Sequence, residues 1–237
     1  MTILALSERH RTELQASAIS PEQIEARGYF TATDPKDLPP DWQGRTDILP
    51  ALMIPIRDTT GQVRMHRVKP DNPRTDSKGR KIKYESPKGS RPFVDIPLAM
   101  TVPIPTSAGP LPLTQIPNVP LWITEGEKKV DSLLSAGARA VVGISGVQAW
   151  QANSGQALPE WREIVFRGKD REMNEVSRTV ILALDSDVMR RADLRSALIG
   201  LAEYLAYRGA TVRYCLLPDL PDGGKCGVDD FLAGGMA

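Results

Sequence analysis

The strongest constraint in this chain is a change of rhythm at residue 121. From there, short apolar runs alternate with longer stretches of helical period. "LWIT" (121–124), "RAVVGIS" (139–145), "TVILALDSD" (179–187) and "TVRYCLLPD" (211–219) read as strands. "EKKVDSLLSAG" (127–137) and "RADLRSALIGLAEYLAYRG" (191–209) read as amphipathic helices, each closed by a glycine. Strands joined through helices run parallel, and a parallel sheet is covered on both faces. The expectation is an α/β fold, a parallel sheet flanked by helices over residues 116–237.

In such sheets functional groups collect at the carboxyl ends of the strands. Glu125 follows the first strand directly. Asp185 and Asp187 end the third, two residues apart, so an extended chain points both side chains the same way. Asp219 and Asp222 follow the fourth, with Asp229 and Asp230 beyond. Carboxylates brought this close repel one another, and a bound divalent cation relieves the conflict. Oxygen ligands favour Mg²⁺ or Mn²⁺ over zinc. The two cysteines, Cys215 and Cys226, and two histidines do not make a zinc site.

The net charge is only +1, but between Arg64 and Arg91 ten Lys or Arg stand against three acids. That local excess suits a polyanion. Arg64, Arg67, Lys69, Lys81 and Lys83 are candidate nucleic-acid contacts, and Tyr84 a candidate stacking partner for a base. Lys128 and Lys129 begin a helix, where cations oppose the dipole, and are candidate phosphate contacts.

Around this segment, residues 51–70 read as a β-hairpin turning at Asp58–Gly61, and Lys81 to Tyr84 as a short strand inside a polar loop. Residues 46–115 thus form a small basic β-rich subdomain. Residues 1–45 read as a helical segment, with Ser20 capping a helix that has Pro21 in its first turn and stops near Gly28. "DPKDLPPDW" (34–42) and the prolines from 97 to 120 read as connectors. Residues 151–177 form a charged insertion with no legible role. No leader and no twenty-residue apolar span is present, so the expectation is a cytoplasmic protein without a membrane segment.

The runs "LWITEGEKKVDSLLSAG", "AVVGISG", "VILALDSDV", "GATVRYCLLPD" and "GVDDFL" resemble, in that order, the Toprim domain of bacterial, DnaG-like primases. Upstream, "MIPIRDTTGQVRMHRV" and "KYESP" resemble the hairpin and basic-aromatic strand of the same enzymes. "LPEW" and the opening "SERHRTELQASAISPEQIEARGY" resemble a phage, plasmid and integrative-element branch, in which the domain stands before a helicase module. The resemblance implies a mobile-element primase that makes RNA or DNA primers from nucleotide triphosphates on single-stranded DNA with Mg²⁺ or Mn²⁺, in company with a helicase. It implies Glu125 as general acid/base or metal ligand, Asp185 and Asp187 as metal ligands, Asp229 as a further one, and Arg67, Lys69 and Lys83 along the template or nucleotide path. Other readings are a Toprim nuclease and a non-catalytic nucleic-acid-binding module. Two positions depart from the family pattern: Lys129 stands where an acid is usual, and Gly227 replaces the first acid of an Asp-Pro-Asp.

Overall fold

The alternation from residue 121 builds the sheet that the sequence predicts. The structure, a computed structural model, describes residues 5–106, 109–169 and 174–234. The chain begins with helices α1 (Glu8–Gln15) and α2 (Pro21–Arg27), strand β1 (Phe30–Ala32) and the hairpin β2 (Ala51–Arg57) and β3 (Val63–Pro70). A short strand β4 (Val94–Asp95) and helix α3 (Leu98–Thr101) lead to β5 (Leu121–Glu125), α4 (Glu127–Ser135) and β6 (Ala140–Ile144). A small ribbon, β7 (Arg167–Lys169) with β8 (Glu175–Ser177), precedes β9 (Thr179–Ala183), α5 (Ala192–Tyr207), β10 (Thr211–Tyr214) and α6 (Val228–Ala233).

The main sheet has the order β10-β9-β5-β6-β4. Its first four strands are parallel, and β4 pairs antiparallel at the edge through Val94–Ile144 and Asp95–Gly143. Burial on both faces explains why β5, β6 and β9 are almost wholly apolar: Leu121, Ile123, Val142, Val180 and Leu182 lie in one core with Leu201 and Leu205 of α5, while Val141 and Trp122 pack on the other side with Val130 and Leu133 of α4. Among the described residues no helix is long and apolar enough to cross a membrane.

The amino-terminal region differs from the helical expectation. Ser20 does cap α2, its hydroxyl accepting from Gln23 N at 3.2 Å, and Gly28 ends the helix at φ 81°. The chain then adds β1, which pairs antiparallel with β2 and makes the hairpin three-stranded. Strand β2 is buried along its length because each face has its own cover. Met53 and Ala51 pack against Leu38, Trp42 and Ile48, while Leu52 and Ile54 pack against Leu14, Ile19 and Ile24. The proline-rich 34–42 is therefore part of a core, with Trp42 donating its indole N–H to His66 O at 2.7 Å.

Lys81–Tyr84 is not a strand. The loop folds back on itself through single bridges, Thr75 with Lys81 and Val68 with Glu85, the latter closed by two 2.9 Å backbone bonds. Prolines at 73 and 87 cannot donate to a ladder, which keeps the pairing from spreading. The proline-rich 97–120 is also no free spacer. Arg178, fully buried, donates to the carbonyls of Leu113, Thr114 and Val119 at 3.0, 3.2 and 2.9 Å. Burial without a carboxylate pulls its pKa down to about 10. In the insertion, Pro159–Glu163 forms a 3₁₀ turn that seats Trp161 in the core, its indole N–H donating to Trp150 O at 2.8 Å.

One buried ion network joins the amino-terminal region to the main sheet. Arg27, at the end of α2, donates from Nη1 to Asp95 at 2.7 and 2.8 Å, and from Nε and Nη2 to Asp131 of α4 at 2.9 and 2.8 Å. Tyr29 donates to Asp131 at 2.5 Å and Gln23 at 2.8 Å. Removing one partner from such a group strands the others, so Arg27→Ala should lower the unfolding free energy by about 3–5 kcal/mol in urea titrations. Asp95 gives a pH signature. Burial first, and the nearby charges of Glu127 and Asp131, lift it from 3.8 to about 6 against the pull of Arg27. Between those values the folded chain holds a proton that the unfolded chain has lost, so this group makes stability fall as pH rises through the window. Carboxylates held low, such as Asp58, act in the opposite sense. The expected result is that Asp95→Asn removes a downward component of stability between about pH 4 and 6, read as the wild-type minus variant difference.

Candidate functional site

A cleft of about 840 Å³ opens between the carboxyl edge of the main sheet and the basic hairpin region. One wall carries Lys69 from β3 and Arg80, Lys81, Lys83 and Tyr84 from the loop that follows. The other carries Glu125, Asp185, Asp187 and Arg191, with Lys225 and Asp229 above them and Lys128 and Lys129 from the first turn of α4. With Arg67, Glu13 and Glu127, which also line it, the cleft holds nine cations and six carboxylates.

Strand register delivers the acids. Thr124 pairs with Ala183, so Glu125 and Asp185 emerge side by side at the ends of β5 and β9. After Glu125 the chain must turn sharply into α4. Gly126 does so at φ 89°, and its N–H donates to Ile144 O at 2.8 Å. The two aspartates are not an extended pair. The chain turns at Asp185 into a 3₁₀ helix, Ser186–Met189, which leaves Asp185 buried and Asp187 half-exposed. Ser186 ties in the last segment, donating from N to Cys226 O and accepting from Cys226 N at its hydroxyl, both at 3.0 Å. These bonds lay Lys225 and Gly227 over Asp185.

Repulsion among these acids is relieved by lysines. Lys225 Nζ lies 2.6 Å from Asp185 Oδ2, and Lys129 Nζ lies 3.1 Å from Asp185 Oδ1 and 4.0 Å from Asp229 Oδ1. The Lys129 contacts are ion pairs with poor hydrogen-bond direction, since neither Asp185 Oδ1 nor Asp229 Oδ1 accepts a hydrogen bond. Burial pulls the Lys129 pKa down, but the charges of Asp185 and Asp229 outweigh it and hold it above the ordinary lysine value. Burial and the Asp185 charge raise Glu125, and burial raises Asp229. Glu125 and Asp187 have no hydrogen-bond or ion-pair partner among the described residues. Nor, among those residues, are three or more His, Cys, Asp or Glu side chains gathered as a metal-holding group.

Two of the acids at strand four lie apart. Asp219 accepts from Ser186 Oγ and Arg190, at 2.6 and 2.7 Å, and Asp222 closes a local turn at Gly224 N. Several cations of the basic segment are committed inside the protein. Arg67 is bound to Glu127 at 3.0 Å and lies over the Tyr84 ring, while Lys69 and Lys128 share Glu13 of α1. Arg64 pairs with Asp58 in a separate hollow with Arg91 and Glu160, away from the acids. Lys81 and Lys83 remain exposed in the cleft with no ion pair among the described residues. Lys225, Arg191, Arg80 and Glu13 were not singled out by sequence. Lys225 alone had a local signal, two residues before the Gly-Val-Asp-Asp run.

With this geometry in place, comparison with solved structures is informative about fold. The Aquifex aeolicus primase (zinc-binding and RNA polymerase domains) superposes with a TM-score of 0.60 over 96% of this chain at 16% identity. This chain spans about half of that one, 53%. A DnaG primase catalytic domain bound to ssDNA gives 0.56 over 96% of this chain and 68% of its own, at 18% identity. A DnaG catalytic core gives 0.55, covering 97% of this chain and 69% of its own, at 18%. The fold is that of DnaG-type primase catalytic cores. A search of curated proteins finds no match. A family model described as a domain of unknown function (DUF3854) matches residues 112–236, more than half of the chain. The chain therefore belongs to the DUF3854 family, whose matched region here carries the Toprim half of a primase-type core.

Proposed function

We propose that the cleft is a nucleotidyl-transfer site that makes primers on a single-stranded DNA template. The observation that carries this reading is the meeting, in one cleft, of the strand-end acids Glu125 and Asp187 with Lys81 and Lys83, which have no ion pair among the described residues. A primase of the same fold has been solved bound to ssDNA. The basic wall would track the phosphate backbone, with Tyr84 beside it as a base platform held by Arg67.

Mg²⁺ or Mn²⁺ fits the two open carboxylates Glu125 and Asp187 better than Asp185, whose oxygens already face two ammonium groups. Bound there with a nucleotide triphosphate, the ion would stabilise charge on the reacting phosphate. A Glu125 oxygen left free by the ion would be placed to take the proton of the attacking hydroxyl. Lys128 and Arg191 border the same space and would orient the triphosphate. A place in a mobile-element replication complex, beside a helicase, follows from the sequence resemblance and belongs to this proposal.

The second reading, a nucleic-acid-binding module without chemistry, is favoured by the lysines on Asp185. Incorporation of labelled nucleotides on single-stranded DNA with Mg²⁺ or Mn²⁺ separates the two. Activity is expected, and Glu125→Gln and Asp187→Asn should each reduce it at least about a hundredfold. No incorporation with intact DNA binding would favour the module, and strand degradation would favour a nuclease.

Binding itself gives a second test. Each phosphate contact on a single strand contributes about 0.7 to the slope of log affinity against log salt. Lys81→Ala with Lys83→Ala should flatten the slope by about 1.4. Arg67→Ala should instead lower thermal stability, since it strands Glu127 in a buried position.

A further inference from the structure

We infer that Lys129 and Lys225 are resident cations that replace a protein-held divalent ion at Asp185 and Asp229. Three independent features of the structure meet here. Each oxygen of the buried Asp185 faces a different ammonium group, at 3.1 and 2.6 Å. Lys129 reaches on to Asp229, so one ammonium bridges two acids from different elements, Asp185 after β9 and Asp229 in the first turn of α6. Its path is open because residue 227 has no side chain: a Cβ there would lie 2.2 Å from Lys129 Cε and 2.6 Å from Asp229 Oδ1, and the flexible ammonium arm would have to swing away. Lysine at 129 and glycine at 227 are thus a single steric and electrostatic exchange. Two acidic positions of the usual pattern have been given up, and one long cation fills the volume between the acids that remain.

Charge supports the same assignment. Asp185 and Asp229 carry two negative charges and Lys129 and Lys225 two positive ones, so this pair of acids is already neutralised. Among the described residues Glu125 and Asp187 make no ion pair, and they are the carboxylates left to meet an ion. An ion at Asp185 would stand within about 4 Å of an ammonium group and be repelled by it. The inference concerns the free chain, so failure of the primer assay would leave it standing.

The test is Mn²⁺ titration of the whole chain without nucleotide or DNA, followed by calorimetry and Mn²⁺ spin resonance. Wild type should show only weak binding, unchanged in Asp185→Asn. That variant should melt at a lower temperature, because two ammonium groups lose their carboxylate. Lys129→Met with Lys225→Met should bind Mn²⁺ at least about tenfold more tightly than wild type. Adding Asp185→Asn to the double variant should abolish the gain. Should the double variant fail to fold, Lys225→Met alone, at a side chain 57% exposed, is read by the same criterion. Tight Mn²⁺ binding by wild type that Asp185→Asn removes would overturn the inference, and so would a folded lysine variant with no gain.

Discussion

The cleft exists because Arg27 can satisfy two carboxylates at once. Its planar fork spans Asp95 at the edge of the sheet and Asp131 on α4, in a place closed to water. The hairpin region and the sheet are thereby held as two walls with a fixed gap. Ser20 N–H to Ser135 Oγ at 2.9 Å and Ser132 Oγ to Ser17 O at 2.5 Å continue the same seam. Arg67 with Glu127 carries it to the mouth of the cleft. Lysine at position 27 could reach one acid but not bind both in parallel. The geometry of the site is therefore set by a residue that never touches it.

Most of the main sheet was legible from periodicity, because strands buried on both faces and helices with one apolar face leave different signatures. β5, β6, α4 and α5 fall within two residues of where their patterns place them, while β9 and β10 begin on the expected residue and end four and five residues early. What stayed hidden is what distance along the chain hides. β1 is three residues long and means nothing until Ala51–Met53 lies beside it. Arg27 looks like an ordinary helix-ending cation. Arg178 looks like a surface residue between a serine and a threonine, yet its partners are backbone carbonyls some sixty residues earlier.

The site shows the same division. Glu125, Asp185 and Asp187 were readable because strand ends are where a parallel sheet places its chemistry. Their states were not. The basic stretch from Arg64 to Arg91 appears as a pool of free charge when counted along the chain. In space Arg64, Arg67, Lys69 and Arg91 each meet an acid from outside the stretch. Sequence counts charges, whereas only the fold says which are already neutralised. Lys81 and Lys83 face solvent in the cleft with no ion pair among the described residues, which makes the electrostatic footprint smaller and better placed than composition suggests.

The gap at residue 227 couples two distant positions of the chain. With Lys129 lying where it does, a Cβ at 227 would stand 2.2 Å from its Cε, so a side chain there would push the flexible ammonium arm aside. What a larger residue at 227 would cost is therefore the bridge between Asp185 and Asp229 rather than the sheet beneath it. A residue with no charge of its own thus decides whether two acids share a cation.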